Sequence, residues 1–268
     1  MPVWPERPEI PVIHIDSCCP GAAMRALLIS AAKRHPWIKM RPLGILLLDT
    51  RFPRPVGDLG NPATFAYPTV LKRIPNASPA RVIHDRAAGL VGAFCEGARE
   101  LELQGCAALV TSCGFMVLHQ QRLASAVSIP VATSSLLLIP LLKALFPTER
   151  KIGVLTASAG ALSAAHLAAA GAPADTPVGG VRGDGEFARV IVGNQPEGDF
   201  ARIGDEVVAA AQALKGAHAD LGALVLECTN MRPYLEAIRR ACGVPVFDLL
   251  DLADLLMRRP AGEAGGAV

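Results

Sequence analysis

The sequence predicts an α/β protein made of two pseudo-symmetric halves, each built around a parallel, Rossmann-like sheet, with a cleft between them. Three observations lead to this expectation. From Leu43 onward, short apolar runs alternate with longer segments of helical spacing, which is the pattern of strands joined by crossover helices. Two stretches of the chain repeat the same features in the same order. The chain has 268 residues, of which 51% are hydrophobic, so it can bury one large core or two modest ones.

The apolar runs are short and continuous, as expected for strands that are buried on both faces. We expect strands at residues 43–48, 107–111, 129–132, 151–156, 221–226 and 245–247. We expect helices at about 85–104, 115–127, 135–145, 160–170, 199–216, 231–241 and 249–258. The segment 49–80 is rich in Pro and Gly. A structureless loop of that length is usually functional or disordered, so it is either a flap over a binding site or a surface excursion.

An internal repeat defines the two halves. LVTSCGFMVLHQQRLASAVSIPVA starts at Leu109, and LVLECTNMRPYLEAIRRACGVPVF starts at Leu224. Both place a cysteine four residues after the first Leu, at Cys113 and Cys228, and a Pro-Val pair 17 residues later. Upstream, LGIL at 43–46 matches IGVL at 152–155. A repeat of this length is domain-sized.

The repeat also predicts the domain boundaries. Residues 1–40 are Pro-rich and only weakly periodic, so we treat them as an N-terminal extension. The first α/β domain is expected to comprise residues 41–147 plus 246–268, and the second residues 148–245.

Composition argues against two classes of partner. Lys and Arg number 26 and Asp and Glu 24, which gives a formal net charge of +2, whereas binding to nucleic acid or to a membrane surface would need a basic patch. No apolar run reaches the ~18 to 20 residues of a membrane-spanning helix. The start of the chain does not resemble a signal peptide, which has a basic end followed by an unbroken apolar stretch. We therefore expect a cytoplasmic protein.

The chain has seven cysteines, and an odd number in a reducing compartment favours free thiols. Cys18 and Cys19 are adjacent and have no second pair at zinc-ligand spacing, so we predict no metal site there. Cys95, Cys106 and Cys242 lie within or at the ends of predicted elements in positions typical of packing.

Cys113 and Cys228 differ from the other cysteines, because each follows a predicted strand and precedes a predicted helix. Ligands of parallel α/β sheets bind at the carboxyl ends of the strands. A helix start offers unpaired N–H groups and a partial positive charge, which should lower the pKa of a thiol and bind a carboxylate. The residues directly after each cysteine are the candidates for holding that carboxylate: Gly114, Phe115, Thr229 and Asn230.

Two thiols from two related halves suit proton transfer at a carbon next to a carboxylate. Inversion of such a carbon needs a base on one face and an acid on the other. One thiol would remove the α-proton as a thiolate, and the other would return a proton from the opposite side. The helix N-termini would stabilise the enolate-like charge, so we predict no cofactor and no metal. No GxxxxGK[ST], HExxH or GxSxG motif is present.

From Leu43 to about Met257, these motifs resemble the aspartate/glutamate racemase superfamily. That group also contains hydantoin racemases, maleate isomerases and arylmalonate decarboxylases. The resemblance lies in Gly44-Ile-Leu, Thr111-Ser-Cys113-Gly, Pro130-Val, Ile152-Gly-Val-Leu and Leu226-Glu-Cys228-Thr-Asn. It implies a two-domain α/β fold with the active site between the domains, two catalytic cysteines and no cofactor. It also implies substrate-binding groups at neighbouring strand ends: Asp49, Thr50, Thr133, Ser134, Thr156 and Ser158, besides Thr229 and Asn230.

We therefore expect a cofactor-independent racemase or epimerase that acts on an amino acid or a related carboxylate in amino-acid metabolism. Two alternatives remain open: a single-cysteine isomerase or lyase of the maleate isomerase or decarboxylase kind, and a non-catalytic small-molecule binding protein. Racemases of this group usually have Cys-Asn-Thr at the first site, where this chain has Cys113-Gly114-Phe115. Phe115 would line a more apolar pocket. Family members often self-associate, so the resemblance also allows a homo-oligomer.

Several charged residues are open to two interpretations. Glu227 either tunes the neighbouring thiol of Cys228 or only ends its strand. Arg51 and Arg54 lie in the Pro-rich segment, where exposed loop charge is the simpler interpretation and contact with a second substrate carboxylate the alternative. His166 is expected on the surface of a helix.

Overall fold

The computed structural model describes residues 41–258, and these form two parallel sheets of four strands each. The predicted extension at residues 1–40, Cys18, Cys19 and residues 259–268 lie outside the described residues. The first sheet contains β1 (Leu43–Leu47), β2 (Thr69–Arg73), β3 (Ala108–Thr111) and β4 (Val131–Ala132), in the order β2-β1-β3-β4. The second contains β5 (Lys151–Thr156), β6 (Val178–Gly180), β7 (Leu221–Leu226) and β8 (Val246–Phe247), in the order β6-β5-β7-β8. The predicted fold class is confirmed.

The strand register reproduces the sequence repeat residue by residue. Gly44 of β1 pairs with Leu109 of β3, and Gly153 of β5 pairs with Leu224 of β7. A methyl group on Gly44 would lie 2.5 Å from Leu109 Cδ2, and one on Gly153 would lie 3.3 Å from Leu224 Cδ2. The small residue therefore makes room for the leucine of the neighbouring strand in both halves, which explains why the repeat contains both.

Helices connect the strands and cover the sheets. They are α1 (Pro79–Ile83), α2 (Val91–Leu103), α3 (Gln120–Ala124), α4 (Ile139–Leu145), α5 (Ala164–Ala169), α6 (Phe200–Ala217), α7 (Leu235–Cys242) and α8 (Leu249–Met257). Three of the predicted helices begin with a 3₁₀ segment, at Gly114–His119, Ser135–Leu138 and Thr229–Tyr234. A further 3₁₀ turn covers Pro62–Thr64, and a π-helical turn covers Ala188–Val192.

Two strands were not predicted. Strand β2 lies inside the segment 49–80 that was expected to be irregular, and β6 is a three-residue edge strand with the sequence Val-Gly-Gly. Both are edge strands, and each pairs with the strand beside it in its sheet, β1 or β5. Their backbone hydrogen bonds come from that neighbour, and their own sequences have little apolar character from which a strand could be predicted.

The C-terminal helix α8 returns to the first half. Its buried residues Leu249, Leu250 and Ala253 join a cluster that includes Leu43 and Ile45 of β1. Strand β8, just before it, pairs with β7 of the second sheet, so the chain crosses between the halves after Phe247. Among residues 41–258, no helix is long and apolar enough to cross a bilayer.

Candidate active site

The two cysteines of the repeat occupy equivalent positions. Cys113 follows β3 and is the N-cap of the 3₁₀ segment Gly114–His119, and Cys228 follows β7 and is the N-cap of Thr229–Tyr234. Both have extended backbone conformations, with φ −150° and ψ 119° for Cys113 and φ −84° and ψ 122° for Cys228. Each side chain is thus held where a strand ends and a helical segment begins. Both residues are 8% exposed.

The residues that flank one cysteine touch the residues that flank the other. The Thr229 hydroxyl, which follows Cys228, donates a 2.9 Å hydrogen bond to the carbonyl of Ser112, which precedes Cys113. On the other side, Gly114 lies against Glu227, because a methyl group at position 114 would be 2.5 Å from the Glu227 carbonyl oxygen. These crossed contacts bring the two cysteines together at the junction of the two halves.

A third contact fastens the two sheets beside this junction. The Ser135 hydroxyl donates a 2.7 Å hydrogen bond to the carbonyl of Leu226, the last residue of β7. Ser135 follows the predicted site residues Thr133 and Ser134 at the end of β4. The bond therefore ties the strand end of one half to that of the other.

The acidity of the thiols is opposite to the sequence expectation. Burial raises the pKa of Cys113 well above the usual range for a thiol, and the charge of Glu227 raises it further, whereas the Phe115 N–H lowers it. Burial also raises the pKa of Cys228, and the charges of Glu227 and Cys113 act in the same direction, whereas the Asn230 N–H lowers it. The prediction that the helix start would lower these pKa values is wrong, because desolvation and a neighbouring acid outweigh one N–H group.

Glu227 directly precedes Cys228, its charge acts on both cysteines, and it is 1% exposed. Its Oε2 accepts a 2.7 Å hydrogen bond from the Thr156 hydroxyl. Within residues 41–258, Oε1 has no hydrogen-bond partner. Burial raises the pKa of Glu227 to about 7, although the Thr156 hydroxyl and the N–H groups of Ala157 and Phe115 lower it. Of the two interpretations of Glu227, its contacts favour the one in which it acts on the thiols.

A polar network leads from Cys228 into the Pro-rich loop. The Cys228 thiol lies 3.6 Å from Asn230 Oδ1, and Asn230 Nδ2 donates a 2.6 Å bond to Asp58 Oδ2. Arg54 donates to Asp58 Oδ1 at 2.7 Å and to the Thr50 hydroxyl at 3.0 Å. Only 12% of the Arg54 side chain and 1% of the Asp58 side chain are exposed. The interpretation of Arg54 as exposed loop charge is therefore wrong.

We call residues 49–65 the covering loop, because they reach from the first half onto the second. Asn194 accepts a 2.7 Å bond from the Arg51 N–H and donates a 3.0 Å bond to the Asp49 carbonyl. Gly57 lies so close to Pro233 that a methyl group on it would be 3.1 Å from the Pro233 Cα. These contacts and the Asp58–Asn230 bond make this part of segment 49–80 a flap over the junction of the halves.

The other predicted site residues have varied surroundings. The Asp49 carboxylate binds Arg73 at 3.4 Å and the Asn76 N–H at 3.2 Å. The Thr133 hydroxyl donates to Gln120 at 2.7 Å. Ser134 caps the next 3₁₀ segment, and its Oγ would lie 2.9 Å from a methyl group at position 114. Ser158 follows Thr156 and is partly exposed.

His166 was predicted on a helix surface but is 1% exposed. Its ring packs edge-on against Phe115, with 5.2 Å between the ring centroids. Burial lowers the pKa of His166. The expectation failed because the face of α5 that carries His166 packs against the segment Gly114–His119 of the other half, a contact that is not evident from helical spacing.

Two surface cavities lie away from this junction. One of about 400 Å³ is lined by residues of α2 and α3, including Cys95 and Arg122, and one of about 230 Å³ lies beside Lys143 and Asp175. Within residues 41–258, no three His, Cys, Asp or Glu side chains are grouped as metal ligands. The five cysteines of this part of the chain are free thiols.

Comparison with known proteins identifies the family. The family model for the Asp/Glu/hydantoin racemases matches residues 65–254. The chain belongs to the Asp/Glu/hydantoin racemase family. This match confirms the resemblance inferred from the cysteine motifs. Both Cys113 and Cys228 lie inside the matched residues.

Individual relatives extend this result. A dimethylsulfoniopropionate lyase from Durusdinium sp. clade D is 28% identical over 245 residues, which cover 84% of this chain and 77% of that protein. Dimethylsulfoniopropionate lyase 5 from Emiliania huxleyi (strain CCMP1516) is 26% identical over 238 residues, covering 80% of this chain and 44% of that protein. The chain therefore spans less than half of the second relative. A double mutant of arylmalonate decarboxylase in a liganded form superimposes with a TM-score of 0.56 at 17% identity, covering 83% of this chain and 94% of that one, and this likeness shows the fold alone.

Proposed function

We propose that this chain is an enzyme that removes a proton from a carbon next to a carboxylate, with Cys113 and Cys228 as the acid/base groups on either side of that carbon. The observation that carries the proposal is the crossed pair of contacts, Ser112 with Thr229 and Gly114 with Glu227. These contacts bring two thiols from different halves together at the junction, which supports a role for both at one substrate carbon. Proton transfer at carbon requires positioned groups of this kind.

The proposed substrate binds at the ends of β3 and β7. The N–H groups of Phe115 and Asn230 each lie beside one of the thiols and lower its pKa. Donors in these positions would also stabilise the enolate-like charge that develops on the substrate carboxylate as the α-proton leaves. Burial raises the pKa values of both thiols and so favours their neutral forms in the ligand-free protein. We therefore expect a bound substrate to change the charge of the site before a thiolate forms.

The reaction that we place first is an elimination. One thiolate takes the α-proton, the electrons of the C–H bond form a double bond between Cα and Cβ, and the bond from Cβ to the leaving group breaks with its electron pair on the leaving group. With dimethylsulfoniopropionate the products are acrylate and dimethyl sulfide. Similarity to a dimethylsulfoniopropionate lyase over 84% of this chain supports this assignment. So does the buried acid Glu227 beside the thiols, since it would attract a positively charged substrate.

Racemisation or epimerisation of an amino acid or related carboxylate is the second candidate. An elimination needs one base, whereas inversion needs an acid and a base on opposite faces. The matching N-cap positions of Cys113 and Cys228 would serve that reaction as well. The two candidates share the first step and differ in whether the β-carbon carries a leaving group.

The test measures product from dimethylsulfoniopropionate and, separately, exchange of the α-proton in heavy water with a panel of amino acids, hydantoins and dicarboxylates. We expect release of dimethyl sulfide and acrylate, and a loss of at least ~100-fold in kcat when the acting cysteine is changed to serine, in line with the usual contribution of one acid/base group. Cys242→Ser is the matched control, because Cys242 is buried at the end of α7. Full activity of both Cys113→Ser and Cys228→Ser would exclude the mechanism. Proton exchange with loss of optical activity, and no elimination, would favour the second candidate.

A further inference from the structure

The carboxyl group of Glu227 is buried beside Cys228, and only one of its two oxygens has a hydrogen-bond partner within the described residues. Oε2 is bound by the Thr156 hydroxyl at 2.7 Å, and Oε1 has no hydrogen-bond partner within the described residues. A methyl group on Gly114, next to Cys113, would lie 2.5 Å from Oε1. Glu227 itself precedes Cys228. The unpartnered oxygen therefore lies between the segment that carries Cys113 and the segment that carries Cys228.

Burying an ionised carboxylate is costly unless a cation or several hydrogen bonds compensate it. Arg54 is the guanidinium that acts on Cys113, and its two terminal nitrogens already bind Asp58 and Thr50. Thr156 gives Glu227 one bond from a neutral hydroxyl, and the neutral N–H groups of Ala157 and Phe115 also lower its pKa. The surrounding residues thus leave Glu227 without the positive partner that buried acids normally have.

We propose that Glu227 binds the positively charged group of the substrate and so selects zwitterions that carry a sulfonium or quaternary ammonium group near the carboxylate. This inference rests on the proposed function and names the substrate class that the same site takes. An onium group cannot donate a hydrogen bond, but its positive charge stabilises a nearby carboxylate through the Coulomb interaction. Oε1 has no hydrogen-bond partner within the described residues and lies beside Gly114, next to Cys113.

Gly114 is the complementary feature on the other half. Any side chain at position 114 would meet Oε1 and the Glu227 carbonyl at 2.5 Å and the Ser134 hydroxyl at 2.9 Å. Glycine in place of asparagine after Cys113 is therefore required by the position of Glu227, which precedes Cys228. Gly114 of the first half has no side chain, and the Glu227 carboxylate of the second half occupies the space beside it.

A cation bound at Glu227 also lies beside both thiols. The charge of Glu227 raises the pKa values of Cys113 and Cys228, so neutralising that charge removes a barrier to thiolate formation. The substrate would thereby supply the positive charge that the base requires. A neutral substrate of the same shape would leave the charge of Glu227 without a counter-ion, and the pKa values of the two thiols would stay raised.

The test compares two ligands that have the same shape but differ in charge. 3-(Trimethylammonio)propionate carries the cation, and 4,4-dimethylpentanoate has a carbon in place of the nitrogen. We expect the wild-type chain, in calorimetric titrations at pH 8, to bind the cationic ligand on the order of 10- to 100-fold more tightly than the neutral one. In Glu227→Gln, this ratio should fall to about 1. Glu236→Gln is the matched control, because Glu236 is exposed on α7 of the same half and pairs with Arg239.

Two results would overturn the inference: a ratio near 1 in the wild-type chain, which needs no variant, or an unchanged ratio in a folded Glu227→Gln. The latter outcome would fit a neutral Glu227 that donates a hydrogen bond to the substrate carboxylate. The titrations do not depend on turnover. If the chain binds the cationic ligand more tightly but releases no dimethyl sulfide, the proposed elimination is wrong and this inference stands. If it releases dimethyl sulfide but binds both ligands equally, the elimination stands and this inference is wrong.

Discussion

The hydroxyl of Thr229 donates a 2.9 Å hydrogen bond to the carbonyl of Ser112, and this bond crosses from one half of the molecule to the other. Each of the two residues is the immediate neighbour of a candidate catalytic cysteine. The bond is buried, since Thr229 is 3% and Ser112 4% exposed. It therefore links the alignment of Cys113 and Cys228 directly to the stability of the interface between the halves.

Thr229→Val tests whether this hydrogen bond supports both the alignment of the cysteines and the stability of the interface, because the substitution removes the bond with little change in side-chain volume. Valine has the shape of threonine but cannot donate, so the Ser112 carbonyl would stay buried without this donor, at a cost of about 1–3 kcal/mol. We expect urea unfolding to show a loss of that size in the free energy of unfolding. The activation free energy for turnover of an identified substrate should rise by more than this loss. Thr148→Val, at an exposed position, should change neither. Equal behaviour of the two variants would mean that the crossing bond does not hold the cysteines in place.

Gly114→Ala should be poorly tolerated. The added methyl group would lie 2.5 Å from both the carbonyl and Oε1 of Glu227, and backbone cannot move aside as a flexible side chain can. Overpacking of this kind costs about 1–3 kcal/mol. The matched control is Gly92→Ala in α2, where the methyl group would meet nothing within 4 Å and should stabilise the helix by about 0.5–1 kcal/mol. Denaturant unfolding of both variants measures the contrast, which a stable Gly114→Ala would contradict.

Much of the fold follows from the sequence because it depends on local pattern and on the repeat. The strands 151–156 and 221–226 are found at their predicted bounds, and the pairing of Gly44 with Leu109 and of Gly153 with Leu224 gives the repeat its physical basis. Strand β2 could not be predicted in the same way. Its sequence, Thr-Val-Leu-Lys-Arg, has no continuous apolar run, because Val70 is its one buried residue.

The candidate site was predictable only in part. The N-cap positions of Cys113 and Cys228 follow from the strand-to-helix transitions that the sequence shows. The roles of Asp58 and Arg54 could not be predicted, because a Pro- and Gly-rich loop has no periodicity that shows which side chains turn inward. The direction of the thiol pKa values was also wrong, since burial depends on how the halves meet and not on either cysteine's own segment.

The stability of the protein should fall as the pH rises through the range where Glu227 ionises. Burial raises the pKa of Glu227 from 4.5 to about 7, so between these values the unfolded chain releases a proton that the folded chain keeps. The stabilisation is complete below pH 4.5 and is lost by pH 7 to 8, and a shift of that size corresponds to about 3 kcal/mol.

The measurement is urea unfolding of the wild type and Glu227→Gln at pH 5 and pH 8. His166 and Asp248 also have shifted pKa values, so the informative quantity is the difference between the two proteins. Cys113 and Cys228, which face Glu227, stay neutral over this range because their pKa values are raised. We expect the wild type to lose about 3 kcal/mol more than the variant. Parallel pH profiles would show that Glu227 is ionised at neutral pH in the folded protein.

Opening of the covering loop should control access to the two thiols. Asn194 fastens that loop through its bonds to the Arg51 N–H and the Asp49 carbonyl, and its backbone has a positive φ of 53°. Asn194→Gly keeps that conformation without strain and removes both bonds, each worth about 1 kcal/mol. The open fraction, and with it the rate of iodoacetamide labelling of Cys113 and Cys228, should rise about 5- to 30-fold.

Labelling is followed by mass spectrometry of the separate cysteine peptides, so that Cys95, Cys106 and Cys242 serve as internal references. Asn76→Gly is the control variant, because Asn76 also has a positive φ, of 62°, and lies in segment 49–80, beyond the covering loop. Its backbone N–H bonds to Asp49 of its own half, so the substitution leaves the contact with the second half intact. An increase confined to Asn194→Gly, and to the two cysteines at the junction, would identify the covering loop as the element that closes over them. Equal labelling rates in both variants would mean that the thiols are reached by another route.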